Sequence, residues 1–210
     1  LVGKEGLFLG KWAAHEVLRR EDDARLEWEI KAEAEAQIAM LAATGIRITH
    51  LDGHQHVHIF PAAVRPVIEV ALKYRIPWVR IPYEPHPRDA ATDRDATDMD
   101  EANLFSDLAK AARPCFVDAG MVSTDHFRGL RLKGRLSKDE INRVLDGLPA
   151  GLAELMVHPG RAPRRLSAGP FSGFSTIDRE RELETLLSPA FPDAIDRNNV
   201  ILIPFQEVLS

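Results

Sequence analysis

Thr49-His50-Leu51-Asp52-Gly53-His54-Gln55-His56-Val57-His58 is the stretch on which the reading of this chain turns. It holds four of the eight histidines and a carboxylate. Neutral imidazole is the commonest protein ligand for divalent transition metals. On an extended backbone, side chains two apart share a face, so His50, Asp52, His54, His56 and His58 are expected to point the same way. Ile46 and Ile48 before the run, and Ile59-Phe60-Pro61 after it, embed it in apolar sequence, unlike a terminal tag. The pattern predicts a metal or catalytic site at the end of a strand.

Outward from that run, the chain alternates helix and strand. Leu26, Ile30, Ala34, Ile38 and Leu41 recur at helical spacing over residues 21–43, and Thr44-Gly45 supplies a left-handed stop. Residues 46–52 read as a strand. Pro61 suits the first turn of a second helix, with Val64, Val67, Ile68, Ala71 and Leu72 as its apolar stripe. Residues 78–81 are the next strand. Residues 84–99 read as a long exposed loop or lid, 100–113 as helix and 115–122 as strand, with the polar turn Ser123-Thr124-Asp125-His126 after it. Ser137-Lys138-Asp139-Glu140 is a capping box. Residues 152–157 form a strand that delivers His158, 161–175 a second long loop, 178–187 a helix and 200–205 a final strand. Such alternation predicts an α/β fold with a mostly parallel sheet, and active sites of parallel α/β folds lie at the carboxyl ends of strands. The clusters at 54–58, 125–126 and 158 each follow an expected strand, so they should converge on one rim.

Composition bounds the rest. At 210 residues and 45% hydrophobic, the chain reads as a single globular domain over residues 1–210. The net charge is −5, and no basic stripe suggests nucleic acid. No apolar run approaches the roughly 20 residues of a membrane span. Cys115 is the one cysteine, expected to be a small buried core residue; its solitude permits a reducing compartment, and a cytoplasmic setting is expected. Trp78 is expected in the core.

Residues 49–61, Thr-His-Leu-Asp-Gly-His-Gln-His-Val-His-Ile-Phe-Pro, resemble the signature of the YdjC-like carbohydrate deacetylases, the chitooligosaccharide and hopanoid-associated deacetylases among them. Three later stretches resemble that family in order: Ser123-Thr124-Asp125-His126-Phe127, Glu154-Leu155-Met156-Val157-His158-Pro159-Gly160, and Asp178-Arg179-Glu180-Arg181-Glu182-Leu183. The resemblance implies a distorted TIM-like barrel. It implies hydrolysis of the acetamide on N-acetylated amino sugars, with one divalent metal ion, Mg2+ or Zn2+. By resemblance, His54 is the metal ligand and His158 a general acid. Asp125 and His126 would be supporting or substrate-facing residues, His56 and His58 would extend the site or bind the sugar, and Trp12 and Tyr83 are candidates to stack on its ring. Arg80 is expected to reach the pocket because it alternates with Val79 and Ile81. Asp52 is a fallback catalytic carboxylate, or else a residue that orients His54 from behind.

The family's opening Asp-Asp segment, with its base and metal carboxylate, and a second metal histidine have no counterpart here. At roughly 30 residues per β-α unit, about 60–70 residues are expected to be missing before Leu1. The competing expectation is therefore an inactive fragment, or a sugar- or metal-binding module, whose exposed sheet edges pair in a homodimer.

Overall fold

Helix α2 (Ala24–Ala42) begins where Asp23 accepts a hydrogen bond from Leu26 N at 3.0 Å, and it buries Leu26, Ile30 and Ile38 on one face. That face lies on α3 (Pro61–Lys73), whose buried stripe includes Ala63, Val67, Val70 and Ala71. Pro61 occupies the first turn, as its missing N–H allows. Gly45, at φ 82°, closes the turn after α2. Helix α1 (Lys11–Leu18) packs on α3, burying His15 and Leu18.

The structure, a computed structural model, describes residues 1–85, 96–162 and 177–207. Most of the loops expected at 84–99 and 161–175, with His86, fall outside the described residues.

Among the described residues the strands are short and parallel. Strand β1 (His50–Leu51) pairs with β2 (Trp78–Val79), His50 opposite Trp78. Strand β3 (His126–Arg128) pairs with β4 (Ala153–Leu155), Phe127 opposite Glu154. A single bridge from Trp78 to Val122 extends the first pair. The remaining helices are α4 (Ala96–Asp118), α5 (Lys138–Asp146), α6 (Ile177–Leu187) and α7 (Ala190–Arg197). Ser137 caps α5 by accepting from Glu140 N at 3.3 Å, as the capping box predicts. The architecture is mixed α/β. A larger apolar core gathers α1 to α4 around β1 and β2; a smaller one joins Leu136, Ile141 and Leu145 to Ala194 and Ile195.

Two expected strands are not strands. Residues 115–118 continue α4, because Phe105, Ala109, Ala112 and Phe116 hold helical spacing and all are buried. Cys115, one step off that stripe, is exposed, contrary to the expectation of a core residue. Residues 200–205 carry no strand pairing; Ile201 and Leu202 are 82% and 68% exposed, since no neighbouring strand lies along them among the described residues. Trp78 is in the core at 1% exposure, as expected.

Candidate active site

The histidine run does not stay extended. After Leu51 the chain enters a 3-10 segment, His54–Ile59, in which Gln55 and His56 both take left-handed backbone angles, φ 54° and 56°. Two consecutive left-handed residues without glycine are strained, at order 1–3 kcal/mol each, and such strain clusters at functional sites. The expected common face of five side chains is therefore broken. His50 turns away and stacks on Phe205 at 4.2 Å. His58 is buried at 1% exposure. Its Nδ1 accepts from Gly53 N at 2.9 Å, so the proton sits on Nε2, which donates to the Arg80 carbonyl at 2.7 Å. Both ring nitrogens are committed to structure, and His58 does not line the cavity. Gly53 is required here, since a Cβ would lie 2.9 Å from His58 N and Nδ1.

The remaining residues meet at a cavity of about 440 Å³. Asp52, His54 and His56 enter from the end of β1, Arg80 from β2, Leu130 and Arg131 from the loop after β3, and Met156 and His158 from β4. Each strand contributes beyond its carboxyl end, as parallel α/β geometry predicts. Glu101 and Phe105 of α4 close one wall. Pro159 keeps His158 out of helical backbone angles and so holds this segment extended.

Asp125 and His126 lie elsewhere. They open β3 instead of following a strand, at the amino end of the pair. Asp125 accepts from Leu152 N at 2.9 Å, His126 Nε2 contacts the Ala150 carbonyl at 3.1 Å, and neither lines the cavity.

Charge organises the cavity. Arg80 bonds both Asp52 and Glu154, its Nε reaching Glu154 Oε1 at 2.7 Å. Burial works to raise the Asp52 carboxyl, but His56, Arg80 and His58 outweigh it and hold the group below the ordinary carboxylate range. Asp52 is thus an ionised counter-charge. Burial pushes the His158 imidazole down, against the pull of Glu182. Buried Glu84 is pushed up by loss of water, and it accepts from Arg131 N at 3.1 Å. Sequence reading missed Glu154, Glu101, Arg131, Lys133 and Arg135 around the cavity. The alternation of Arg131, Lys133 and Arg135 was the one available signal.

The donor set bears on a metal. His56 Nδ1 is buried and lacks a hydrogen-bond partner among the described residues. Asp52 Oδ1 faces it at 3.7 Å, about the separation of two ligands held at roughly 2.1 Å by one ion. His54 lines the same cavity. Among the described residues no group of three or more His, Cys, Asp or Glu is placed to hold an ion. These residues fit part of a metal site.

Sequence comparison places the chain. The YdjC-like protein family matches residues 1–197, and the chain belongs to that family. A carbohydrate deacetylase of Mus musculus is 31% identical over 99% of this chain and 70% of its own length. One of Homo sapiens is 32% identical over 99% of this chain and 68% of its own. A crystal structure from Enterococcus faecalis, of a protein named for cellobiose-phosphate cleavage, superposes with a TM-score of 0.65 at 22% identity, covering 99% of this chain and 68% of that one.

Proposed function

We propose that this chain is a carbohydrate deacetylase, an amide hydrolase that removes acetyl groups from N-acetylated amino sugars such as N-acetylglucosamine oligomers. The observation that carries this reading is the meeting of Asp52, His54, His56, Arg80 and His158 beyond three strand ends, in a member of a family whose named relatives are carbohydrate deacetylases.

An acetamide carbonyl is a poor electrophile and water a poor nucleophile. One divalent ion, Mg2+ or Zn2+, with His54 or His56 and Asp52 among its ligands, would polarise the carbonyl and acidify water when bound. The chain's own groups supply the rest. His158 is depressed toward its neutral form, so an imidazole nitrogen is available to take a proton from the attacking water. The same nitrogen then returns it to the departing amine, which is the acid role. Asp52 stays ionised and balances positive charge as it develops. Arg80, anchored by Asp52 and Glu154, fixes the floor on which the sugar rests. Acetate release from N-acetylglucosamine oligomers, with and without chelator, tests this; chelator-insensitive or absent release across a substrate panel defeats it.

The distorted TIM-like barrel belongs to the same reading and follows from the family resemblance. A second reading, a non-catalytic binding module that self-associates, is favoured by one observation: Ile46, Ile201 and Leu202 are exposed at 65%, 82% and 68%. Sedimentation at micromolar concentration separates the two, a homodimer without acetate release favouring the second. No helix among the described residues is long and apolar enough to cross a membrane.

A further inference from the structure

Glu182 is the least accessible carboxylate among the described residues, at 1% exposure, and it lies in α6, outside the cavity lining. A carboxylate almost never goes so deep without partners. Its two oxygens serve two different walls. Oε2 accepts from the backbone N of His158 at 2.6 Å, and Oε1 accepts from the backbone N of Gly134 at 2.9 Å. Gly134 lies between Lys133 and Arg135, both of which line the cavity. The same helix grips the His158 segment twice more: Arg179 Nε donates to the His158 carbonyl at 3.2 Å, and Gly160 N donates to the Arg179 carbonyl at 3.0 Å. Gly160 leaves room for that approach, since a Cβ there would lie 3.1 Å from Arg179 Nε.

We propose that Glu182 is a positioning residue for the hydrolytic reaction: it brackets His158 against the 130–135 loop and supplies the negative charge that keeps the His158 imidazole able to hold a proton. This rests on the deacetylase reading. The charges around His158 are mostly unfavourable to its protonated form. Lys133 from the loop, Arg179 from α6 and His56 from the 3-10 segment all oppose protonation, as does burial, whereas Glu182 favours it. Glu101 of α4 lines the same cavity and lies 3.7 Å from Lys133 Nζ. A His158 stripped of Glu182 would take the water's proton poorly, however well its ring were placed.

The test compares Glu182→Gln with Glu182→Asp in the full chain. Imidazole carbon shifts of His158 are followed by NMR against pH, and kcat and KM for N-acetylglucosamine oligomers are measured over the same range. In Glu182→Gln the His158 inflection should fall by about one pH unit, the size of one nearby opposite charge. The limb of kcat governed by His158 should move with it, with KM within about twofold. Glu182→Asp keeps the charge and should keep the inflection, while kcat drops because one of the two amides is released. An unchanged inflection in Glu182→Gln overturns the proposal even if activity is lost. Should Glu182→Gln fail to fold, the carboxyl carbon of Glu182 in the unaltered protein decides: a step at the His158 inflection supports coupling, and a flat trace there overturns it. Because the NMR readings need no turnover, absence of deacetylation would count against the activity and leave this inference to stand or fall separately.

Discussion

Arg80 Nε donates to Glu154 Oε1 across 2.7 Å, and this contact ties the β1–β2 pair to the β3–β4 pair. No ladder joins the two pairs among the described residues, so the ion pair does between sheets what backbone hydrogen bonds do within them. Both side chains are shielded, at 21% and 11% exposure. Arg80→Met should leave Glu154 with an uncompensated charge and cost about 3 kcal/mol. Urea melts check this, and Arg80→Met with Glu154→Gln should recover part of the loss.

His158→Gln should lower kcat for acetate release by about 10²- to 10⁴-fold, the range of a positioned acid–base group, with a smaller change in KM. His126→Gln, at the opposite end of β3, should leave kcat near its original value. Steady-state kinetics on both variants checks the assignment of the chemistry to the β4 end.

Stability should depend on pH through His58. Burial pushes its imidazole down to about 4, although Asp52 pulls the other way. The unfolded chain takes up this proton near pH 6.5. Below that pH the unfolded state gains a proton that the native state refuses, so stability falls as pH drops from about 6.5 to about 4 and then levels. At 1.36 kcal/mol per unit the loss approaches about 3 kcal/mol. Denaturant midpoints between pH 7 and 4 check it, and a flat profile would show that His58 protonates inside the fold.

Gly53→Ala should destabilise by about 1–3 kcal/mol, as overpacking does, because the new methyl meets the His58 backbone N and ring at 2.9 Å. It should also reduce activity, since the strained turn carrying His56 hangs from that contact. Thermal melts alongside acetate assays check both effects.

Cys115 should react with a thiol reagent in the native protein without prior unfolding, since it is exposed. A reaction rate that tracked unfolding would place it back inside the core.

Helices α2, α3 and α5 were legible because periodicity, a proline at the start and a capping box all agreed there. The stretch from Cys115 to Val122 misled because Cys, Phe and Val are strand formers in a row; only the longer register from Phe105 shows that the helix runs on. Residues 200–205 misled for the same reason: an apolar run predicts burial, but pairing needs a neighbour. The cavity lining was legible where it hung on strand ends, at Asp52, His54, His56, Arg80 and His158. Asp125 and His126 were misplaced because a strand boundary set a few residues wrong moves a motif to the other end of a sheet. Glu154 and Glu182 lie in stretches that resemble the family, yet no role could be read for either, since a carboxylate on a strand or helix reads as surface until its partner from elsewhere in the chain is known.

Glu182 is also later in the chain than every residue that lines the cavity. A ribosome delivers residues in order, so a nascent polypeptide ending before α6 would contain every residue that lines this cavity and lack the brace that spaces them. The cavity is thereby braced only once α6 has been made, however early its lining residues emerge.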